Sequence, residues 1–214
     1  RLQKMKAMSK SCKKYMPTYI IIALNIIFYV FTSIIGGDFL TTGKNAILWL
    51  GQVNSAIIYD GWYWQLFTSM FVHANIVHLF GNMFFLLIFG LRAEELFSIK
   101  EYVLIYFLSG LVGNLLTLLT TLLFGYDIIS VGASGAIFGT FGACTIYVRR
   151  AIGQSIISAL LYAFFLFMIS SGPSVNVFAH LGGLAVGLLI GYALAATRRS
   201  RMTYKYNYSF SAGS

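Results

Sequence analysis

Three histidines, His73, His78 and His180, are the only ones in the chain. With Ser134 and Asn82 they form the set of residues best suited to chemistry. Serine becomes a nucleophile when a base takes its proton, and histidine is the usual base. The tetrahedral intermediate that follows needs donors for its oxyanion. A neutral imidazole, a carboxamide and a backbone N–H can each serve. Asn82 follows His78 by four residues, so on a helix the two share a face. Ser134 stands in Gly132-Ala133-Ser134-Gly135, which reads as a loop-to-helix junction. The first N–H groups of a helix lack helical partners, and its dipole favours negative charge there. G-x-S-G alone is a weak pattern, and its weight depends on where the other residues fall.

Other chemistries fit these residues poorly. The sequence has no H-E-x-x-H, and His73 and His78, five apart, point about 140° away from each other on a helix. No metal and no cofactor are expected. Asp38, Asp60 and Asp127 all fall in loops, so a pair of intramembrane aspartates is not available. Cys144 stands ten residues beyond Ser134 without a histidine beside it. No carboxylate is placed to orient His180, which favours a Ser–His dyad over a triad.

What must position these residues is set by composition. Of 214 residues, 58% are hydrophobic and only 10% charged, and the mean hydropathy is +0.79. A soluble domain carries about 25% charged residues, so a soluble protein and a disordered one are both excluded. A spanning helix needs roughly 20 apolar residues. Uncharged stretches divide into a first span in 15–37, a second at 75–91, a third in 102–126 and a fourth starting near Ser134. The stretch 151–197 is long enough for two more, broken at Ser170-Ser171-Gly172-Pro173-Ser174. The expected fold is all-α, a polytopic membrane protein of six transmembrane helices. Residues 1–14 form a basic N-terminal segment, 15–197 the six-helix domain, and 198–214 a basic, polar tail. The chain begins with Arg1, which suggests trimming, and the first span is read as a retained helix because no small-residue cleavage site follows it.

The net charge of +9 in a soluble chain would suggest nucleic acid. Here it reports orientation instead, and no nucleic-acid partner is expected. With both termini cytoplasmic, fourteen of the fifteen basic residues sort inside and only Lys44 falls outside, as the positive-inside rule asks. Spans two, four and six then run inward, bringing His78, Asn82, Ser134 and His180 to similar depth in the outer half of the bilayer. A lone serine in such a helix is ordinarily packing glue and a lone histidine at a span end ordinarily interfacial. Asn25 and Asn114 are read in that way, as bridges between helices. Convergence of four groups at one depth is what sets the others apart. Two glycine stripes, Gly135-Gly139-Gly142 and Gly183-Gly187-Gly191 below His180, allow close helix approach and would bring Ser134 to His180.

These residues resemble the rhomboid intramembrane serine proteases of the compact six-span microbial type. The resemblance rests on His73-Ala-Asn-Ile-Val-His78-Leu-Phe-Gly-Asn82, on Gly132-Ala133-Ser134-Gly135, and on Ala179-His180-Leu181-Gly182-Gly183 with Gly187. It covers about residues 15–197. It implies Ser134 as nucleophile, His180 as general base, and His78, Asn82 and the Ser134 N–H as oxyanion donors. Gly132 and Gly135 would support the nucleophile, His73 would be structural, and Phe138 would pack on the His180 ring. Many relatives have tyrosine where this chain has Phe138, and Trp-Arg where it has Trp64-Gln65. The implied substrates are single-pass or other membrane proteins whose helices enter laterally from the bilayer, between the second and fifth spans. Phe84 and Phe85 would face Phe164 and Phe165 there, and the loop Ser170–Asn176 would act as a cap. A catalytically inactive relative that binds membrane helices, or a small transporter, are the competing readings. The second of these would need charges along a path through the spans.

Overall fold

A computed structural model describes residues 16–36, 38–151, 155, 157, 161 and 175–206, with side chains as far as Arg198. The basic N-terminal segment, most of the expected fifth span with Phe164 and Phe165, the break at 170–174 and the end of the tail lie outside the described residues.

Among the described residues four helices are long and apolar enough to cross a membrane. The first, α1 (Met16–Gly36), buries Thr18, Ile21, Asn25, Tyr29 and Thr32 at helical spacing. It leaves Ile20, Ile27 and Ile34 exposed, as a lipid-facing helix must. Between α1 and the second span lies a folded segment. It consists of α2 (Lys44–Leu50), β1 (Gln52–Val53), α3 (Asn54–Asp60) and α4 (Gln65–Thr68). The spans α5 (Ile76–Leu96) and α6 (Ile99–Phe124) follow. Ser98 separates them and starts α6 with a reciprocal capping box to Glu101, which satisfies two otherwise orphaned N–H groups. Strand β2 (Ile129–Ser130) pairs antiparallel with β1, Val53 opposite Ile129 and Gln52 opposite Ser130. Then come α7 (Ser134–Ala151) and α8 (Val177–Tyr206). The chain is an all-α, polytopic membrane protein, and among the described residues two short strands lie outside the spans.

Helix α7 is the expected fourth span, starting at Ser134 as the glycines suggested. Its glycine-, alanine- and threonine-rich sequence does not read as strongly apolar because it faces protein rather than lipid. Gly135 to Gly139, Ala143, Cys144 and Tyr147 are all buried. The two glycine stripes do meet. A Cβ on Gly183 would collide with the backbone oxygen of Gly135, one on Gly187 with that of Gly139, and one on Gly191 with that of Ala143. Helix α6 joins the same cluster, since a Cβ on Gly182 would lie 2.9 Å from Cα of Gly113. Without a hydrophobic driving force between helices in lipid, such close van der Waals contact is what associates them.

The second span departs from the sequence reading. Its uncharged run ends at Leu91, yet the helix continues to Leu96. Arg92 and Glu95 pair on its surface at 2.6 Å, while Glu94 is buried. Glu94 Oε1 accepts from the Thr18 N–H at 2.8 Å and from the Thr18 hydroxyl. The second span thus reaches past the end expected at residue 91 and carries Arg92, Glu94 and Glu95 within its helix. A carboxylate belongs in the helix there because the start of α1 supplies its donors. Arg198 closes the same end of the bundle. Its guanidinium donates to both Glu101 oxygens, at 2.6 and 2.7 Å, and to the Leu96 carbonyl at 3.0 Å.

Candidate active site

Ser134 is the first residue of α7, and the turn before it requires a particular backbone. Gly132 has φ +122°, a region closed to residues with a Cβ. A Cβ there would also lie 2.9 Å from Cε1 and Nε2 of His78. The first backbone hydrogen bond of the helix runs from Ile137 N to Ala133 O at 3.0 Å. The amides of Ser134, Gly135 and Ala136 thus precede the first helical bond, where an α-helix has no partner for them.

His180 stands in the first turn of α8, its own N–H bonded to the Asn176 carbonyl at 3.3 Å. The contact between Gly183 and Gly135 brings its ring over the start of α7. The result is a hydrogen bond of 2.8 Å between Ser134 Oγ and His180 Nε2. With the imidazole proton on Nδ1, the serine hydroxyl donates to Nε2. His180 Nδ1 is buried without a hydrogen-bond partner, so among the described residues no carboxylate orients the ring. Phe138, one turn after the serine, stacks on it instead. The ring centroids are 4.3 Å apart and the planes 23° from parallel.

His78 and Asn82 lie on one face of α5, opposite this pair. The Asn75 side chain caps α5 by accepting from the His78 N–H at 2.8 Å. Asn82 Nδ2 donates to the His78 carbonyl at 3.0 Å. That bond uses one of its two N–H groups and leaves the other free to point inward. Ser134, His180, His78, Asn82, Gly132 and Phe138 all line one cavity of about 540 Å³. Its apolar end is walled by Phe85, Phe89 and Phe141. Among the described residues no three His, Cys, Asp or Glu side chains gather to hold a metal.

His73 does not line this cavity. It is fully buried in the loop before α5, its ring edge-on to His78 with centroids 5.2 Å apart. Its carbonyl accepts from the Thr42 hydroxyl and its Nδ1 lies 3.3 Å from the Phe71 carbonyl. Burial, and after it the neighbouring His78, push this imidazole down to about 3. It is a neutral group that holds the outer segment to the start of α5.

Several residues matter more than sequence reasoning indicated. Gln65, a departure from the arginine of many relatives, is fully buried. Its Oε1 accepts from Val53 N at 2.8 Å and its Nε2 donates to the Leu48 carbonyl at 2.8 Å. A carboxamide, with an acceptor as well as a donor, anchors both β1 and α2 here. Asn114 does bridge, donating to the Leu66 carbonyl at 2.8 Å and to Ser69 Oγ at 3.0 Å. Asn25 donates within its own helix, to the Ile21 carbonyl, and its side chain also meets the Tyr106 hydroxyl of α6. Asn176 enters the sequence reading only as the end of the expected cap loop. A capping residue just before an apolar run is the signal that marks it.

An all-α membrane bundle with a serine and a histidine in hydrogen-bond contact at the edge of a cavity defines a narrow class of protein. Comparison with known proteins agrees on which one. The family model described as "Rhomboid domain" matches residues 60–197, and the chain belongs to the rhomboid family. RHOMBOID-like protein 6, mitochondrial, of Arabidopsis thaliana is 41% identical over 137 residues, 61% of this chain and 43% of that one. YdcA of Bacillus subtilis (strain 168) is 30% identical over 190 residues, 85% of this chain and 89% of that one. Rhomboid-like protease 3 of Toxoplasma gondii is 30% identical over 176 residues, 77% and 64% of the two chains. The chain spans about half the length, or less, of the plant relatives it matches.

Proposed function

We propose that this protein is an intramembrane serine endopeptidase that cleaves transmembrane segments of membrane proteins. The observation that carries the reading is the 2.8 Å contact between Ser134 Oγ and His180 Nε2 beside an open cavity. Such a contact is the reach a general base needs. Ser134 Oγ attacks the scissile carbonyl carbon while its proton passes to His180 Nε2. The carbonyl oxygen becomes an oxyanion held by the Ser134 N–H, His78 and Asn82 Nδ2. Collapse breaks the C–N bond, and His180 returns the proton to the departing amine. A water, deprotonated by the same imidazole, then hydrolyses the acyl-enzyme. No cofactor enters the cycle.

Residues 15–197 form the protease domain in this reading, with both termini cytoplasmic, the site in the outer half of the bilayer and the cell membrane as location. Substrate helices enter from the lipid. The exposed Phe84 and Phe85 on α5 supply one side of that route.

The test is cleavage of a single-pass reporter by purified protein in vesicles. The wild type cuts it, and Ser134→Ala and His180→Ala each abolish cutting. A fluorophosphonate probe labels Ser134. Equal cleavage by the Ser134→Ala protein would overturn the assignment.

A further inference from the structure

The serine and the histidine are carried by different helices, and what sets their separation is not only the glycine contact. Asn176 lies just before α8, four residues from His180, and its side chain makes three hydrogen bonds. Oδ1 accepts from the Ala179 N–H at 3.1 Å, which caps the helix that holds the histidine. It also lies 3.2 Å from Thr117 Oγ1, whose single proton goes to the Gly113 carbonyl at 3.0 Å. Nδ2 donates to Ser130 Oγ at 2.8 Å and to Thr117 Oγ1 at 2.9 Å. Ser130 is the last residue of β2 and stands four residues before the nucleophile. Thr117 belongs to α6, which packs on α8 one turn away, at Gly113. Both hydroxyl partners are buried. One carboxamide thus ties the start of the histidine helix to the strand leading into the serine turn, and both to α6.

We propose that Asn176 is a positioning residue of the dyad, setting His180 against Ser134 through Ser130 and Thr117. It lines the outer part of the cavity but makes no contact with the reacting atoms. The proposal rests on the protease reading above. A hydrogen bond between nucleophile and base depends on registry, and a displacement of about 1 Å costs on the order of a hundredfold in rate. The glycine stripes fix how closely α7 and α8 approach. They leave rotation and sliding at the outer ends of the helices to polar contacts, and Asn176 supplies those.

The test compares full-length wild type, Asn176→Ala, Asn176→Asp and Ser130→Ala in vesicles, well below their unfolding temperatures. Reporter kcat and KM and fluorophosphonate labelling of Ser134 are measured. Asn176→Ala is expected to lower kcat by about ten- to a hundredfold with KM within about twofold, and to slow labelling in parallel. Asn176→Asp keeps the acceptor for Ala179 N–H, the Ser130 hydroxyl can turn to donate to it, and that of Thr117 can do so by giving up the Gly113 carbonyl. It should therefore recover most of the lost kcat. Ser130→Ala removes only the strand contact and should give a smaller kcat loss with the same KM. It carries the test if Asn176→Ala does not fold. A folded Asn176→Ala or Ser130→Ala protein with unchanged kcat overturns the proposal, as does a loss confined to thermal stability. Failure of the wild type to cleave or to be labelled overturns the protease reading itself, which is a different result.

Discussion

Gly183 packs on the backbone carbonyl of Gly135, the residue directly after Ser134. Because Gly183 follows His180 by three residues, one point of backbone contact lies beside both members of the pair. Any side chain at this contact would push the two helices apart, and the 2.8 Å hydrogen bond with them.

The same logic applies two turns from His180, where a Cβ on Gly187 would strike the Gly139 carbonyl. Gly187→Ala is expected to lower stability by about 1–3 kcal/mol, the usual cost of overpacking, and to abolish reporter cleavage. Gly81→Ala is the control, because a Cβ there meets nothing within 4 Å. Thermal unfolding in detergent should show a lowered midpoint for the first and an unchanged one for the second. Equal midpoints for the two would refute the contact.

His78 and Asn82 face the cavity across from Ser134. In the proposed mechanism they are oxyanion donors, acting on charge that exists only in the transition state. His78→Ala and Asn82→Ala are each expected to reduce kcat by roughly a hundredfold, the typical loss for one such donor, with KM little changed. Steady-state kinetics on the reporter decide it. A rise in KM at constant kcat would make them binding groups instead.

Gln65 holds β1 and α2 through Val53 N–H and the Leu48 carbonyl. Removing it leaves a buried donor unpaired, at a cost of about 1–3 kcal/mol. Gln65→Ala should lower the unfolding midpoint and speed limited proteolysis within residues 44–60. Unaltered proteolysis of that segment would show that the anchoring lies elsewhere.

His73 predicts how stability varies with pH. Its imidazole stays neutral in the folded protein down to about 3, against an ordinary value of 6.5. The unfolded chain therefore takes up a proton that the folded one refuses as pH falls from 6.5 toward 3. Stability from this group is complete above that window and declines within it, by up to about 1.4 kcal/mol per pH unit. Thermal midpoints measured between pH 7.5 and pH 4 should fall less steeply for His73→Phe than for the wild type. Parallel slopes would refute it.

Much of this molecule is written in local sequence. Uncharged length sets the spans, because lipid leaves no other partner for backbone groups. The fourth helix starts at Ser134 because Gly132 permits the turn before it. The sorting of basic residues leads to the expectation of a common depth for His78, Asn82, Ser134 and His180, and the four line one cavity. The glycine stripes gave the faces that meet. Those signals act within one helix or through the bilayer, so a linear reading can find them.

What the sequence could not decide depends on contacts between distant segments. Glu94 looks like the charge that ends a span until Thr18, 76 residues earlier, provides its donors. Gln65 looks like a weakened arginine until its carboxamide is seen to need both of its ends. Asn176 looks like an ordinary cap until Ser130 and Thr117 arrive from other elements. Polar pairing in a low-dielectric interior is decided by which groups happen to be opposite. Only the tertiary structure brings them opposite, and that is where the separation of Ser134 and His180 is set.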